Sequence, residues 1–211
     1  MALKSRILGL VVAAGLLSAC GSVQPGAAAV VNGETISMRS ADEAAQTFCL
    51  INLAGQQGGG AVDNSEIRRQ ALTALLLVEV ADQVAADRNL KYTVPKEKPA
   101  GIDEFRKALE PSVRKNFDTL ISDNFRLGAI VIELGRATDP KLTDENALLE
   151  LGMAELNKAM ADMDVEIDPR FGLDASGQQI ADSGSLSVAT ENLDAPAPDE
   201  RAIALQCAPK S

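Results

Sequence analysis

Residues 27–37 read AAAVVNGETIS, a strand-like stretch set ahead of a long run of helix-like sequence. Val30, Val31 and Ile36 are β-branched, and Asn32-Gly33 favours the positive-φ backbone of a tight turn. The pattern predicts a strand over 28–32, a turn, and then the start of a helix. A lone strand leaves its N–H and C=O groups unpaired, so a partner must come from elsewhere in the chain. DVEIDPRFG at 164–172 has the right alternation, with Val165 and Ile167 set against Glu166 and Asp168. Pro169 lacks an N–H and therefore marks a strand end or an edge position. Pairing 165–168 with 28–32 gives a two-stranded ribbon that joins the N- and C-terminal ends of a mainly α domain.

The sequence between the two strands reads as helices. Ser40-Ala41-Asp42-Glu43 fits a capping box, which predicts a helix over about 41–54 with Ala44, Ala45, Phe48 and Ile51 inward. GQQGGG at 55–60 ends it, either as a plain connector or as a mobile lip. Asp63 and Asn64 are N-cap residues for a helix of about 64–88. Its apolar residues lie on most sides, which places it in the middle of a bundle. YTVPKEKP is a linker, followed by a short helix at 102–109. Pro111 suits the first turn of the next helix, and Gly135 offers it a left-handed stop. Thr143 caps a helix of about 144–163, whose Leu149, Met153, Leu156, Met160 and Met163 form a narrow packing seam. From 173 onward the chain reads as irregular, with a short helix at 198–206 before Cys207. Aromatics make up only 3% of residues and Trp is absent, so the core is built from Leu, Val, Ile, Ala and Met.

The first twenty residues point to a destination. MALKSR is a short basic region and ILGLVVAAGLL an apolar run too short to cross a bilayer, which takes about 20 residues. The run ends in Leu17-Ser18-Ala19-Cys20, which resembles the lipobox of bacterial lipoproteins. That resemblance implies a leader at 1–19, diacylglycerol linked to Cys20, and a position at the outer face of the cell membrane. Cleavage would remove Lys4 and Arg6 and leave 18 basic against 30 acidic residues, a net charge of −12. Such an acidic surface is the opposite of a nucleic-acid footprint.

Cys49 and Cys207 remain. Outside the cytoplasm an even pair is more often bridged than free. A bridge closing so long a loop stabilises by about 4–5 kcal/mol in the chain-entropy picture. The chain has no His and no C-x-x-C, which argues against a zinc site or a thioredoxin-like centre, and no metal-ligating residue is assigned. Nothing in the sequence implies a cofactor.

AAVVNGETIS, the capped helix, and IRRQALTALLLVEVADQVAADRNLKYTVP follow one another in a recognisable order. Together they resemble the N-terminal module of SurA-type chaperones, a group related to PrsA foldases and trigger factor. Arg68, Leu72 and Leu75 sit at that group's spacing, followed by Ala81, Ala85, Leu90 and Thr93, with Tyr92 where the pattern has Val. IDEFRKAL is similar to the short helix that comes next, and VEIDPRFG to the last strand of actinobacterial secreted members. The resemblance spans 27–172 and implies a helical cradle for unfolded or newly secreted polypeptides. It leaves 20–26 as a tether and 173–211 as a tail. Many members insert a parvulin prolyl-isomerase domain before the last strand. Here the helix at 144–163 passes straight into that strand, and the histidines such sites resemble one another in using are absent. No catalytic residue is therefore assigned.

A client cradle needs adaptable apolar surface, for which Met153, Met160 and Met163 are candidates. A Met/Leu seam is more often core than groove. The alternative function is an accessory envelope lipoprotein docking on one folded partner over a defined patch. An enzyme has little support, because no nucleophile elbow, triad or phosphate loop is present.

Overall fold

The computed structural model describes residues 24–55, 62–180 and 206–207. Strand β1 (Ala27–Val31) turns back through Asn32 and Gly33 into β2 (Glu34–Ser37), with Val31 opposite Glu34. Asn32 and Gly33 have φ of 49° and 90°, the paired positive values that a two-residue hairpin turn of matching twist requires. The turn therefore leads into a second strand rather than directly into a helix. Helix α1 (Met38–Gly55) follows at once. The Ser37 hydroxyl accepts a hydrogen bond from the Ser40 N–H at 3.0 Å, so the helix opens a turn before the Ser40–Glu43 box.

The expected partner of β1 is present. Strand β4 (Val165–Ile167) runs antiparallel along the other edge of β1, with Ala29 opposite Ile167, Val30 opposite Glu166 and Val31 opposite Val165. The sheet has three strands in the order β2-β1-β4, so the ribbon expected from sequence gains a strand and β1 becomes central. Asn32 fastens the turn on two sides. Its Nδ2 donates to Gln83 at 2.9 Å, and its Oδ1 accepts from the Asp164 N–H at 2.9 Å.

Helix α2 (Asn64–Asp87) starts on the Asp63 cap, whose carboxylate accepts from the Ser65 N–H, as its sequence predicts. Leu72, Leu76, Val80 and Ala81 on it are fully buried, and with Ala28, Ala29 and Val31 of β1 they form the main core. Short α3 (Ile102–Ala108) leads to α4 (Pro111–Thr138), with Pro111 in its first turn. Gly135 does not stop α4, which continues to Thr138. Helix α5 (Glu145–Ala161) is capped by Asp144, which accepts from the Ala147 N–H at 2.9 Å; Thr143 is not the cap.

Gly135 has another use. A Cβ there would collide with the carbonyl of Leu148 on α5, and one at Gly152 would collide with the carbonyl of Val131 on α4. The two glycines thus let the helix backbones touch. The buried line on α5 is Leu148, Gly152, Leu156 and Met160, a ridge at steps of four set by this contact. It lies one position away from much of the seam read from sequence, leaving Leu149, Met153 and Met163 half-buried.

A second, two-stranded sheet pairs β3 (Val62–Asp63) with β5 (Gln206–Cys207). Residues 56–61 and 181–205, which include most of the predicted glycine-rich loop and nearly all of the predicted late helix, lie outside the described residues. Gln206, read as the end of that helix, is in a strand. Residues 173–180, read as the beginning of an irregular tail, fold back on α2. Leu173 is buried and faces Gln179 across a single bridge, and the Thr73 hydroxyl donates to the Gly177 carbonyl at 3.1 Å.

Gly152→Ala should destabilise the fold by about 1–3 kcal/mol, the usual cost of forcing atoms into a closed contact. Gly128→Ala, where a Cβ meets nothing within 4 Å, should instead stabilise by about 0.5–1 kcal/mol. Urea unfolding of both variants checks the contrast; equal effects would place the helix contact elsewhere.

Candidate functional site

Cys20, the predicted lipid anchor, lies outside the described residues. Cys49, near the end of α1, is bonded to Cys207 of β5, with the Cα atoms 5.6 Å apart. Cys207 is 2% exposed and packs with Ala44, Ala45, Ile67 and Ala71, a small core between α1 and α2 distinct from the main one. The three methionines are not gathered on an open surface. Met160 is 3% exposed within the main core, and Met153 and Met163 pack half-buried against it.

The open apolar surface lies elsewhere. A cleft of about 420 Å³ runs between α2 and the 173–180 loop, with Phe48, Ala74, Leu77 and Leu173 on its walls. Phe48 was expected to point inward; it is half-buried and lines this cleft. The α2 side is built by a stripe at helical spacing, Glu66, Gln70, Thr73 and Leu77. The opposite wall is a loop organised by Asp174. Its carboxylate accepts from the Ser176 N–H, the Ser176 hydroxyl and the Gln178 N–H, while its own N–H donates to the Gln178 carbonyl. Those hydrogen bonds hold the Asp174 carboxyl below the usual carboxylate range, the Ser176 hydroxyl first among them. The Asp-Ala-Ser-Gly run at 174–177 carries this turn chemistry in plain sight. Arg69 closes the rim by donating to Glu66 at 2.7 Å, and that hydrogen bond lowers the Glu66 pKa against the opposing effect of burial.

Two further clefts flank α4. One of about 370 Å³ lies between α1 and α4, with Ala44, Leu75 and Leu120 in it and Glu43, Lys115 and Asp123 at its edge. The other, about 490 Å³, is bounded by Val94, Pro95, Ile121 and Phe125 beside a bidentate Arg106–Asp118 pair at 2.6 and 2.7 Å. The first two are mainly apolar with charged edges, whereas the last is lined by Lys96, Lys98, Asp103, Arg106 and Asp118 as much as by apolar side chains. Among the described residues no group of three or more His, Cys, Asp or Glu is placed to hold a metal ion.

The two segments singled out by resemblance meet in space. Arg68 donates to Asp42 at 2.8 Å, lies within 3.6 Å of the Met38 sulfur, and stands 5.4 Å from the centre of the Phe171 ring. Phe171 belongs to a single 3-10 turn (Pro169–Phe171) that follows β4, and Gly172 closes it with φ of 61°. Asp168 caps the turn by accepting from the Arg170 N–H at 2.9 Å, and its carboxylate is gripped by the Arg170 guanidinium at 2.7 Å. Arg68 thereby joins α1, α2 and the end of the sheet, a cation over an aromatic face.

The Arg170 hydrogen bond, with burial opposing it and the Arg68 charge assisting, holds the Asp168 carboxyl below its ordinary value. A depressed folded pKa means stability that is present above the unfolded carboxyl value of about 4 and is lost as pH falls through the folded one. Asp168→Ala should cost about 1 kcal/mol at pH 7, the usual cost of a lost cap. The difference from the parent should shrink in urea titrations repeated below about pH 4; a pH-independent difference would assign the loss to packing alone.

Comparison with known proteins gave no match: no family model, no curated protein and no solved structure is significantly similar to the chain.

Proposed function

We propose that the chain is a lipid-anchored protein of the extracytoplasmic membrane face that holds unfolded or newly secreted polypeptides and carries no isomerase chemistry. The observation that supports this most is the junction of the two segments that resemble SurA-type chaperones. β1 lies beside β4, the pairing expected from sequence, and Arg68 reaches Phe171. The helices between those strands carry shallow apolar clefts with charged rims. Such surfaces bind many sequences weakly, because apolar contact is non-directional.

A second reading is favoured by a specific observation. Among the described residues the exposed large hydrophobic side chain is Ile180, at 44%, and Met160 is buried in the core. So little open apolar area suits an accessory lipoprotein that docks on one folded envelope partner through a defined patch.

Dilution of a chemically unfolded client into buffer separates the two. A holdase suppresses light scattering from several unrelated clients and leaves a proline-limited refolding reaction at its uncatalysed rate. Aggregation unchanged across such clients would transfer the assignment to the single-partner accessory. The anchor is tested on its own: Cys20→Ser should move the chain from the membrane fraction to the soluble one, and continued sedimentation with membranes would refute lipid attachment.

A further inference from the structure

Of the nine asparagines in the chain, Asn32 alone is followed by glycine. That pair carries the chemistry of spontaneous deamidation. The backbone nitrogen after an asparagine can close on the side-chain amide carbon, and a glycine there has no Cβ to block the approach. Asn32 and Gly33 are both exposed, and a Cβ built on Gly33 would meet nothing within 4 Å. Both arms of the Asn32 carboxamide are nevertheless engaged. Its Nδ2 donates to Gln83 of α2 at 2.9 Å, and its Oδ1 accepts from the Asp164 N–H at 2.9 Å. Gln83 is itself held, donating to the Val31 carbonyl at 3.0 Å and to Glu79 at 2.9 Å. Asn89 provides a contrast within the same chain. Its φ is also 49°, but Leu90 follows it, and the Leu90 N–H donates to the Ala85 carbonyl at 2.8 Å.

We propose that Asn32-Gly33 is a covalent modification site, a deamidation switch held shut by Gln83 and Asp164, and that conversion there weakens the seat of the β1–β2 hairpin. In the reaction the Gly33 nitrogen gives up its proton and bonds to Asn32 Cγ. The side-chain nitrogen leaves as ammonia, carrying that proton away. Water then opens the succinimide ring at either carbonyl, adding its hydroxyl to the carbon and its proton to the nitrogen. One opening gives aspartate and the other isoaspartate. Either product loses the donor that faces Gln83, so a carboxylate oxygen is set against the Gln83 amide oxygen with no proton between them. The new negative charge also arises next to Asp164, in a chain whose net charge is already −10. Isoaspartate further lengthens the backbone of a two-residue turn whose length sets Val31 opposite Glu34. Strand β1 is central to the sheet, so a disturbance at its end reaches β2 and β4 together. The site is independent of whether the chain holds polypeptides.

The test ages the full chain in mild detergent at neutral pH, once folded and once in urea. Peptide mapping by mass spectrometry reads aspartate and isoaspartate at position 32 and at position 89. Unfolded, Asn32 should convert about tenfold faster than in the folded chain, since the fold must open locally before the ring can close. Asn89 should remain asparagine in both samples. Gln83→Ala, with its helices intact by circular dichroism, should convert at Asn32 about threefold faster than the folded parent. Asn32→Asp should keep the helical signal and unfold at a lower urea concentration than the parent. Equal conversion of Asn32 in folded and unfolded chains overturns the proposal, as does conversion no faster than at Asn89 in urea. A folded Gln83→Ala chain that converts at the parent's rate also overturns it. If Gln83→Ala does not fold, Asn32→Asp decides: a urea midpoint equal to the parent's overturns the proposal, and a lower one upholds it.

Discussion

Strand β1 is hydrogen-bonded along both edges, to β2 and to β4, and Ala27, Ala28, Ala29 and Val31 are each no more than 2% exposed. A strand so enclosed has no free edge to offer, and its side chains must be small enough for helices to close on it. The three alanines meet that condition. Leu72, Leu76 and Val80 of α2 and Ile130 and Leu134 of α4 share the main core with Ala28 and Ala29, and a buried Leu or Ile contributes roughly 1.5–3 kcal/mol. The positions of α2 and α4 follow from this contact, and α5 is placed in turn by the glycines through which it meets α4.

A chain with so few aromatics closes its interior by bringing backbones together. Alanines under β1, alanines beneath Cys207 and paired glycines between α4 and α5 all reduce the distance between elements rather than fill it. Close packing at interior density is reached by this route as well as by large side chains. The long charged residues then fasten the outside. Arg126 reaches Asp82 across α2 and α4 with two bonds of 2.9 Å, and Arg114 donates to the carbonyls of Lys107 and Leu109 at the end of α3.

Much of this was legible in residues 27–172. The pairing of β1 with β4 followed from alternation at Val165 and Ile167 and from the need to satisfy β1. The Asp63 cap, the extent of α2 and α3, Pro111 at the head of α4 and the cysteine pair were written in local chemistry. The failures share a cause. Asn32-Gly33 was read for its φ preference without asking what returns, so β2 was missed. Gly135 was read as a helix terminator, and Gly152 was passed over, because their purpose lies on the neighbouring helix. That contact also set which face of α5 turned inward, and with it the standing of Met153 and Met163. The 173–180 wall had its Asp-Ala-Ser-Gly signature, yet only docking against Thr73 makes it part of a cleft.

The register that sets Val30 against Glu166 also fixes an order of events. On the proposed export route the chain emerges N-terminus first, and β1 can fold back with β2 as soon as both are out. Its other edge stays unsatisfied until every helix of the main body has followed. Contacts so distant along the sequence slow folding, because the intervening loop must be closed before they form. The emerging chain therefore shows an open, alanine-lined strand edge for most of its passage. A protein proposed to shelter unfinished polypeptides is, by its own topology, one that remains unfinished until nearly its last strand arrives.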